Sequence, residues 1–378
     1  MPAPATITRV EVATIRGQLP EPVVFGDWIM REREFATVRV TTDAGAEGWG
    51  FTLTRDGAVA EQIRRTIAPV YRGTRVDDRA KTFRTAWRRS LASHCGGIGL
   101  RALSIVDLAA WDAAARLADR PIAEFLGGAA AAMPATAIIG YPPARMGPEE
   151  TGRQVAALRA AGWRRFKAPM AATRELSAAR LRAARAAAPD AWLGLDGAWM
   201  FDEVDDAAAF ARSIADVGLG WFEDIFPPGD AVQLAALRRA VDVPIAMGDE
   251  QGGAYYPQAL LLAGAVDLVR IDLTCMGGIT GARRVVDECL RAGVRFAPHM
   301  FAHVHSQVFA GWGFPDLPIE WGVPWTGVDP YADSLAQPEI DGDGRMKPLP
   351  AAPGFGPLIN RDWARAQPHD DPDGLLAG

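Results

Sequence analysis

"LGWFEDIF", Leu219–Phe226, is an apolar, β-prone run that ends in two adjacent carboxylates, Glu223 and Asp224. A strand made for burial thus carries its negative charge to its C-terminal tip. Other stretches repeat this design. From about Ala135 to Glu320, short apolar runs alternate with Ala/Leu/Arg-rich segments of helical character. The apolar members are "PATAIIGYPP", "WRRFKAPM", "AWLGLDGAW", "LGWFEDIF", "VPIAMGDE", "VDLVRIDL", "VRFAPHMF" and "LPIEWG". Each strand–helix unit is about 25–30 residues long, the length of one βα unit, and it recurs roughly eight times. Repeated parallel crossovers of this kind favour a closed α/β barrel over an open sheet.

The flanking sequence reads differently. "TRVEVATIRG" and "EFATVRVTTDAGAEGWGF" alternate as strands do, and "ALSIVDLAAWDAAARLADRPIAEFLGG" is helical until Pro121. Strands followed by helices predict a small α+β domain over residues 1–130. The barrel is expected over residues 131–327. The Pro/Gly-rich segment 328–378 is expected to return and complete the first domain.

Composition excludes several classes. The 378 residues are 49% hydrophobic and 23% charged, with a formal net charge of −6. No long basic run offers a footprint for nucleic acid. No stretch of about 18 apolar residues is available to span a membrane. Cys95, Cys275 and Cys289 form no CxxC pair, which argues for a reducing compartment, and Cys275 and Cys289 are expected to pack in the core. "MPAPATITRV" lacks the charged and apolar regions of a leader. A cytoplasmic location is the expectation.

In a barrel every strand's C-terminal end opens on one face, which holds the active site. The strand ends here are Lys167, Asp196, Glu223, Asp249 (beside Glu250), Asp272, His299 and Glu320. Asp196, Glu223 and Asp249 come from consecutive strands. Three converging carboxylates repel one another unless a cation neutralises them. An all-oxygen set suits one Mg²⁺, whereas Zn²⁺ prefers His or Cys. Asp272 beside His299 fixes the imidazole tautomer and raises its basicity, which makes His299 a general base. His303 and His305 follow the strand and are expected to shape the pocket rather than bind metal. His94 lies in the Gly-containing stretch "SHCGGIG" of the first domain, and its role stays open.

As an ordered set these motifs resemble the enolase superfamily, most closely its mandelate racemase-like subgroup. They are "GLDGAW", "WFEDIFPP", "PIAMGDE", "IDLTCMGGIT", "APHMF" and "IEW". The likeness covers nearly the whole chain. It implies a (β/α)7β-barrel with an α+β capping domain built from both termini, one Mg²⁺, and abstraction of the proton α to a carboxylate. It also implies a homo-oligomer and a small-molecule carboxylate substrate. Glu320, if protonated, would hydrogen-bond the substrate carboxylate, and Lys167 would supply a cation to the same oxygens. Stabilisation of the resulting enediolate by Mg²⁺ is the known chemistry of this superfamily.

Two departures from the family pattern carry information. The third ligand position is usually Glu after Gly, but here Asp249 stands there, followed by Glu250. Relatives that racemise carry Lys-x-Lys on strand two. Here "FKAPM" supplies Lys167 and then Pro169, which has no ionisable group. A one-sided site suits dehydration of a sugar acid, an aldonate or aldarate, to a 2-keto-3-deoxy acid. His299 would act as both base and acid. Trp28, Arg31, Tyr141, Trp199, Glu250 and Trp325 are candidate substrate contacts, and the stretch Gly17–Arg33 reads as a specificity loop. The competing outcomes are a racemase, epimerase or cycloisomerase on the same site. A metal hydrolase and a non-catalytic metal-binding relative are further rivals.

Overall fold

The computed structural model describes residues 5–25, 28–94, 96–248, 250, 253, 255–322 and 339–377. The chain opens with β1 (Ile7–Phe25), β2 (Trp28–Thr42) and β3 (Glu47–Leu53), an antiparallel sheet in that order. Facing pairs such as Val12–Val38 and Ile15–Phe35 set the β1–β2 register. The same hairpin runs on to Val24–Ile29, past an irregularity between Gln18 and Val23. Outside residues 26 and 27, the stretch Gly17–Arg33, read above as a loop, forms the far end of a hairpin. Pro20 and Pro22 fall within the irregular segment, where no ladder N–H is required.

Helices α1 (Arg79–Arg89) and α2 (Gly97–Leu117) complete this domain. Most of α2 is buried, because one side meets the sheet and another meets the barrel. It approaches β3 so closely that a Cβ on Gly48 would lie 2.0 Å from the Ala109 carbonyl oxygen. Only glycine fits there.

The barrel follows as strand–helix units. They are β4 (Met133–Ile138), α3 (Pro148–Ala160), β5 (Arg165–Pro169), α4 (Arg174–Ala187), β6 (Trp192–Asp196), α5 (Val204–Ser213) and β7 (Trp221–Glu223). The series continues with α6 (Ala231–Ala240), β8 (Ile245–Met247), α7 (Tyr255–Leu262), β9 (Leu268–Ile271), α8 (Gly278–Ala292), β10 (Arg295–Pro298), α9 (Ala302–Gly311) and β11 (Ile319–Gly322). Consecutive strands pair in parallel from β4 to β10, and β11 pairs in parallel with β4, giving the nearly closed (β/α)7β form.

Period-two alternation divides the side chains. Leu195, Phe222, Ile245, Val269 and Phe296 join the large core shared with the helices. Trp221, Ala246, Leu268 and Ala297 form a separate apolar plug with Trp192. On the plug's side of their strands, one step further on, stand Glu223, Arg270 and His299, with Asp196 one step past Gly194. A Cβ on Gly194 would lie 2.5 Å from the Trp192 ring, so glycine makes room for the plug.

After residue 338, β12 (Arg345–Met346) pairs with β4, while β13 (His369–Asp370) adds to the N-terminal sheet beside β1. The tail thus serves both domains. Cys275 and Cys289 are buried and unbridged, and Cys95 lies outside the described residues. No helix among the described residues is long and apolar enough to cross a membrane.

Two buried acids on α2 pin the seams. Asp107 accepts the backbone N–H of Thr280 at 2.9 Å and its hydroxyl at 2.6 Å. Asp112 accepts from the N–H of Trp49 (2.8 Å), the N–H of Phe355 (2.7 Å) and Arg116. Burial pushes the Asp107 carboxyl up to about 7 and that of Asp112 up to about 6. Unfolded carboxyls release their proton near pH 4, whereas Asp107 holds its proton until about pH 7. The folded state therefore binds the extra proton between those values, and this contribution to stability falls as pH rises. Asp107→Asn should flatten that fall. From pH 5 to pH 8 the variant's urea-unfolding free energy should gain on the wild type's by about 2–3 kcal/mol. An unchanged difference across that range would count against this account.

Candidate active site

The C-terminal strand ends surround a cavity whose other wall comes from the first domain. Lys167, Pro169, Asp196, Asp224 and His299 line it from the barrel, with Tyr141 and Trp199 from the following turns. Met30, Arg33, Leu53 and Arg55 line it from the sheet domain. Arg55, Ala198, Trp199, Asp224, Glu250 and Met300 all have positive φ, between 47° and 56°. They are six of the nine non-glycine residues in that region among the described residues. Such strain persists only where the surroundings enforce it, and it concentrates at functional sites.

Asp196 and Glu223 are facing neighbours on β6 and β7, so their carboxylates start side by side. Alternation alone would turn Asp224 away from Glu223, but its φ of 48° re-aims it into the cavity. Carboxylate oxygens of Asp196, Glu223 and Asp224 lie within 4.8 Å of one another. Three hard oxygens at that spacing, one from a partly exposed residue, fit a divalent cation such as Mg²⁺. The strand-end pattern singles out Asp249 rather than Asp224 as the third acid, and Asp249 lies outside the described residues.

Beneath this trio the charges alternate around a closed cycle. Lys167 Nζ is 2.5 Å from Glu223 Oε1, 2.9 Å from Glu320 Oε1 and 3.8 Å from Asp196 Oδ2. Arg270 Nε is 3.1 Å from Glu223 Oε2, and its Nη2 donates to Glu320 Oε1. Lys167, Glu223, Arg270 and Glu320 are all buried. Burial by itself lowers the Lys167 pKa, but Glu223, Glu320 and Asp196 together hold it well above its ordinary value. Burial raises Glu320, and Arg270 and Lys167 outweigh it, keeping that carboxyl well below the usual range. This corrects one expectation. Glu320 is ionised, is held by two cations and the Met300 N–H (3.1 Å), and does not line the cavity. It is not a protonated donor waiting for a substrate carboxylate.

On the other wall, His299 Nδ1 is 3.1 Å from Asp272 Oδ2. Asp272 Oδ1 accepts from the N–H and the hydroxyl of Thr274, both at 2.7 Å. Burial alone would raise Asp272, yet the hydrogen bonds from His299 and Thr274 and the neighbouring His305 hold it below its ordinary value. A carboxylate at Nδ1 places the proton there and leaves the basic lone pair on Nε2. His305 is buried in α9. Its Nε2 accepts from the Leu273 N–H at 2.9 Å, and its Nδ1 donates to the Met300 carbonyl at 2.8 Å. It ties together the turns after β9 and β10. His303, buried beside Trp321, also stays off the cavity, so neither His lines it directly.

Tyr141, Trp199 and Glu250 line the cavity. Glu250 is also committed elsewhere. Arg55 Nε donates to its Oε2 at 2.7 Å, Arg55 Nη2 to its Oε1, and Arg101 lies 3.3 Å from Oε2. Arg31 is a correction: it is exposed on the outer groove, and Arg33, two residues along the same strand, is the buried arginine of the cavity. Trp325 and the side chains of Trp28, Phe25 and His94 lie outside the described residues. Arg33, Arg55, Asp224 and Arg270 are site residues that sequence reasoning missed. For Arg270 a signal existed, because it stands two residues before Asp272 in an apolar strand and so shares its face.

Likeness to known proteins agrees with this architecture. Residues 150–363 match the family model described as enolase C-terminal domain-like. Residues 7–127 match the mandelate racemase / muconate lactonizing enzyme N-terminal domain. A D-galactarolactone cycloisomerase of Agrobacterium fabrum is 25% identical over 94% of this chain and 97% of its own. A D-galactonate dehydratase family member of Streptomyces bingchenggensis is 26% identical over 89% and 90%. A racemase structure from Streptomyces coelicolor, with bound magnesium, superposes with a TM-score of 0.86 at 24% identity, covering 96% of this chain and 99% of the other.

The acid trio makes a direct prediction. Asp196→Asn should weaken Mg²⁺ binding at least tenfold in calorimetric titration while leaving the circular dichroism spectrum intact. Undiminished affinity would remove Asp196 from the set.

Proposed function

The chain belongs to the mandelate racemase / muconate lactonizing enzyme group of the enolase superfamily, and on that premise we propose that it dehydrates a sugar acid. The observation that carries this reading is the asymmetry of the cavity. His299, oriented by Asp272, stands on one wall. Pro169 occupies the opposed position on β5, and Lys167 is locked among Glu223, Glu320 and Asp196. Racemisation needs a proton carrier on each face. A lysine held protonated by three carboxylates is a fixed cation rather than a second base.

Asp196 and Glu223 would hold one Mg²⁺, with the third oxygen from Asp249, the position the family pattern names, or from Asp224, which is close enough in the structure. When bound, the ion would offset negative charge developing on the substrate carboxylate. The protein's own groups do the rest. His299 Nε2 takes the α-proton. The imidazolium then delivers that proton to the 3-hydroxyl, which leaves as water on the same face. The enol formed takes a solvent proton at C3 as it becomes the 2-keto-3-deoxy acid. Lys167 faces the cavity and offers fixed positive charge to the carboxylate end. Tyr141, Trp199, Arg33 and Arg55 surround the remaining length, a polar wall suited to a polyhydroxylated acid, an aldonate or aldarate. Trp28 and Trp325 remain candidate contacts by position in the sequence. The relatives named for galactarolactone and galactonate support this substrate class.

A library of aldonates and aldarates, screened with Mg²⁺ for keto-acid formation, tests the reading. In deuterated water the keto acid should carry deuterium at C3. Recovered substrate with α-deuterium and no keto acid would instead establish an epimerase or cycloisomerase. His299→Asn should lower turnover at least a thousandfold while Mg²⁺ affinity stays within about threefold, since general acid–base groups contribute roughly 10²–10⁴ each and His299 serves twice. Glu223→Gln should lower both. Asp249→Asn should cost more Mg²⁺ affinity than Asp224→Asn, and the reverse order would assign the third ligand to Asp224.

A further inference from the structure

One member of the buried cycle takes no part in the chemistry above. Arg270 is fully buried, and its guanidinium lies 4.9 Å from the Trp221 ring centre. Its Nε reaches Glu223 Oε2 at 3.1 Å while Nη2 reaches Glu320. Glu320 is itself fixed by Lys167 at 2.9 Å and by the Met300 N–H at 3.1 Å. The guanidinium is therefore held by the indole on one side and by Glu320 on another, and it presents one remaining edge to Glu223. The guanidinium thus donates a hydrogen bond to Glu320 and meets Glu223 as an ion pair, without hydrogen-bond alignment at Oε2.

We propose that Arg270 is a positioning residue for the metal site. With Lys167 donating to Oε1, the Arg270 charge beside Oε2 fixes where the Glu223 carboxylate sits, so that an oxygen faces the centre shared with Asp196 and Asp224. This rests on the reading of that trio as a Mg²⁺ site. The charge of Arg270 works in the opposite sense from its geometry. A cation beside a ligand repels Mg²⁺, so removing it should tighten binding if charge were all that mattered. If orientation matters, removing it loosens binding. The sign of the change separates the two.

The experiment is a calorimetric Mg²⁺ titration of the full chain, with thermal midpoints measured alongside. Wild type should bind Mg²⁺, and its failure to do so would sink the metal reading itself. Arg270→Met should bind at least tenfold more weakly. It also leaves Glu320 short of a counter-charge, which can unfold a buried site. The double variant Arg270→Met/Glu320→Gln removes both charges and keeps one acceptor oxygen, which serves Lys167 or the Met300 N–H but not both. It should recover part of the thermal midpoint lost in Arg270→Met and still bind Mg²⁺ at least tenfold more weakly than wild type. Arg270→Lys, with one ammonium for two carboxylates, should regain no more than part of the affinity. Wild-type or tighter binding in the double variant overturns the proposal and leaves Arg270 as a structural counter-ion of Glu320.

Discussion

Carboxylates brought together out of water must be neutralised, and this requirement organises the whole mouth of the barrel. Glu223 and Glu320 are buried within the strands' inner face, where solvent cannot screen them. Lys167 and Arg270 balance them in an alternating cycle whose net charge is zero. Asp196 and Asp224 lie just above, toward the cavity, with negative charge that the cycle does not fully cover. That excess is what a divalent ion would answer. The buried cycle balances itself, Lys167 and Glu223 link it to the cavity, and Asp196 and Asp224 are left able to bind.

The smaller domain takes part in the site rather than merely covering it. Arg55 and Arg101 hold Glu250, whose backbone sits in the left-handed region beyond β8. On α2, Asp107 and Ser104 hold the turn after Asp272 through Thr280 and Gly277. The turn that carries the His299 partner is thus fixed from outside the barrel. The close glycine contact between β3 and α2 brings both elements within reach of that turn. Packing in one domain sets geometry in the other.

What could be read from the chain followed from short-range rules. Strands ending in acids, in a repeating βα pattern, brought Asp196, Glu223, Asp272 and His299 to one face, because barrel strands share a direction. Pro169 was legible as a missing base because proline cannot titrate. Alternation would also have placed Arg270 beside Asp272, had the single arginine in an apolar strand been weighed. Arg31 and Arg33 show where the rule stops. Alternation gives them the same face and both line the outer groove, but only Arg33 also reaches the cavity, while Arg31 falls opposite the register irregularity between Gln18 and Val23.

The sequence by itself determined the barrel, its second domain and the side chains that gather at the mouth, since period, length and strand-end chemistry are local properties. The tertiary structure decided which charges meet. That Glu320 pairs with Lys167 and Arg270, that a left-handed φ turns Asp224 toward Asp196, and that Glu250 belongs to two arginines are facts of distance across the fold. Coulomb interactions and hydrogen bonds depend on separations of a few ångströms between residues far apart in the chain, 195 positions for Arg55 and Glu250. No local pattern encodes those separations.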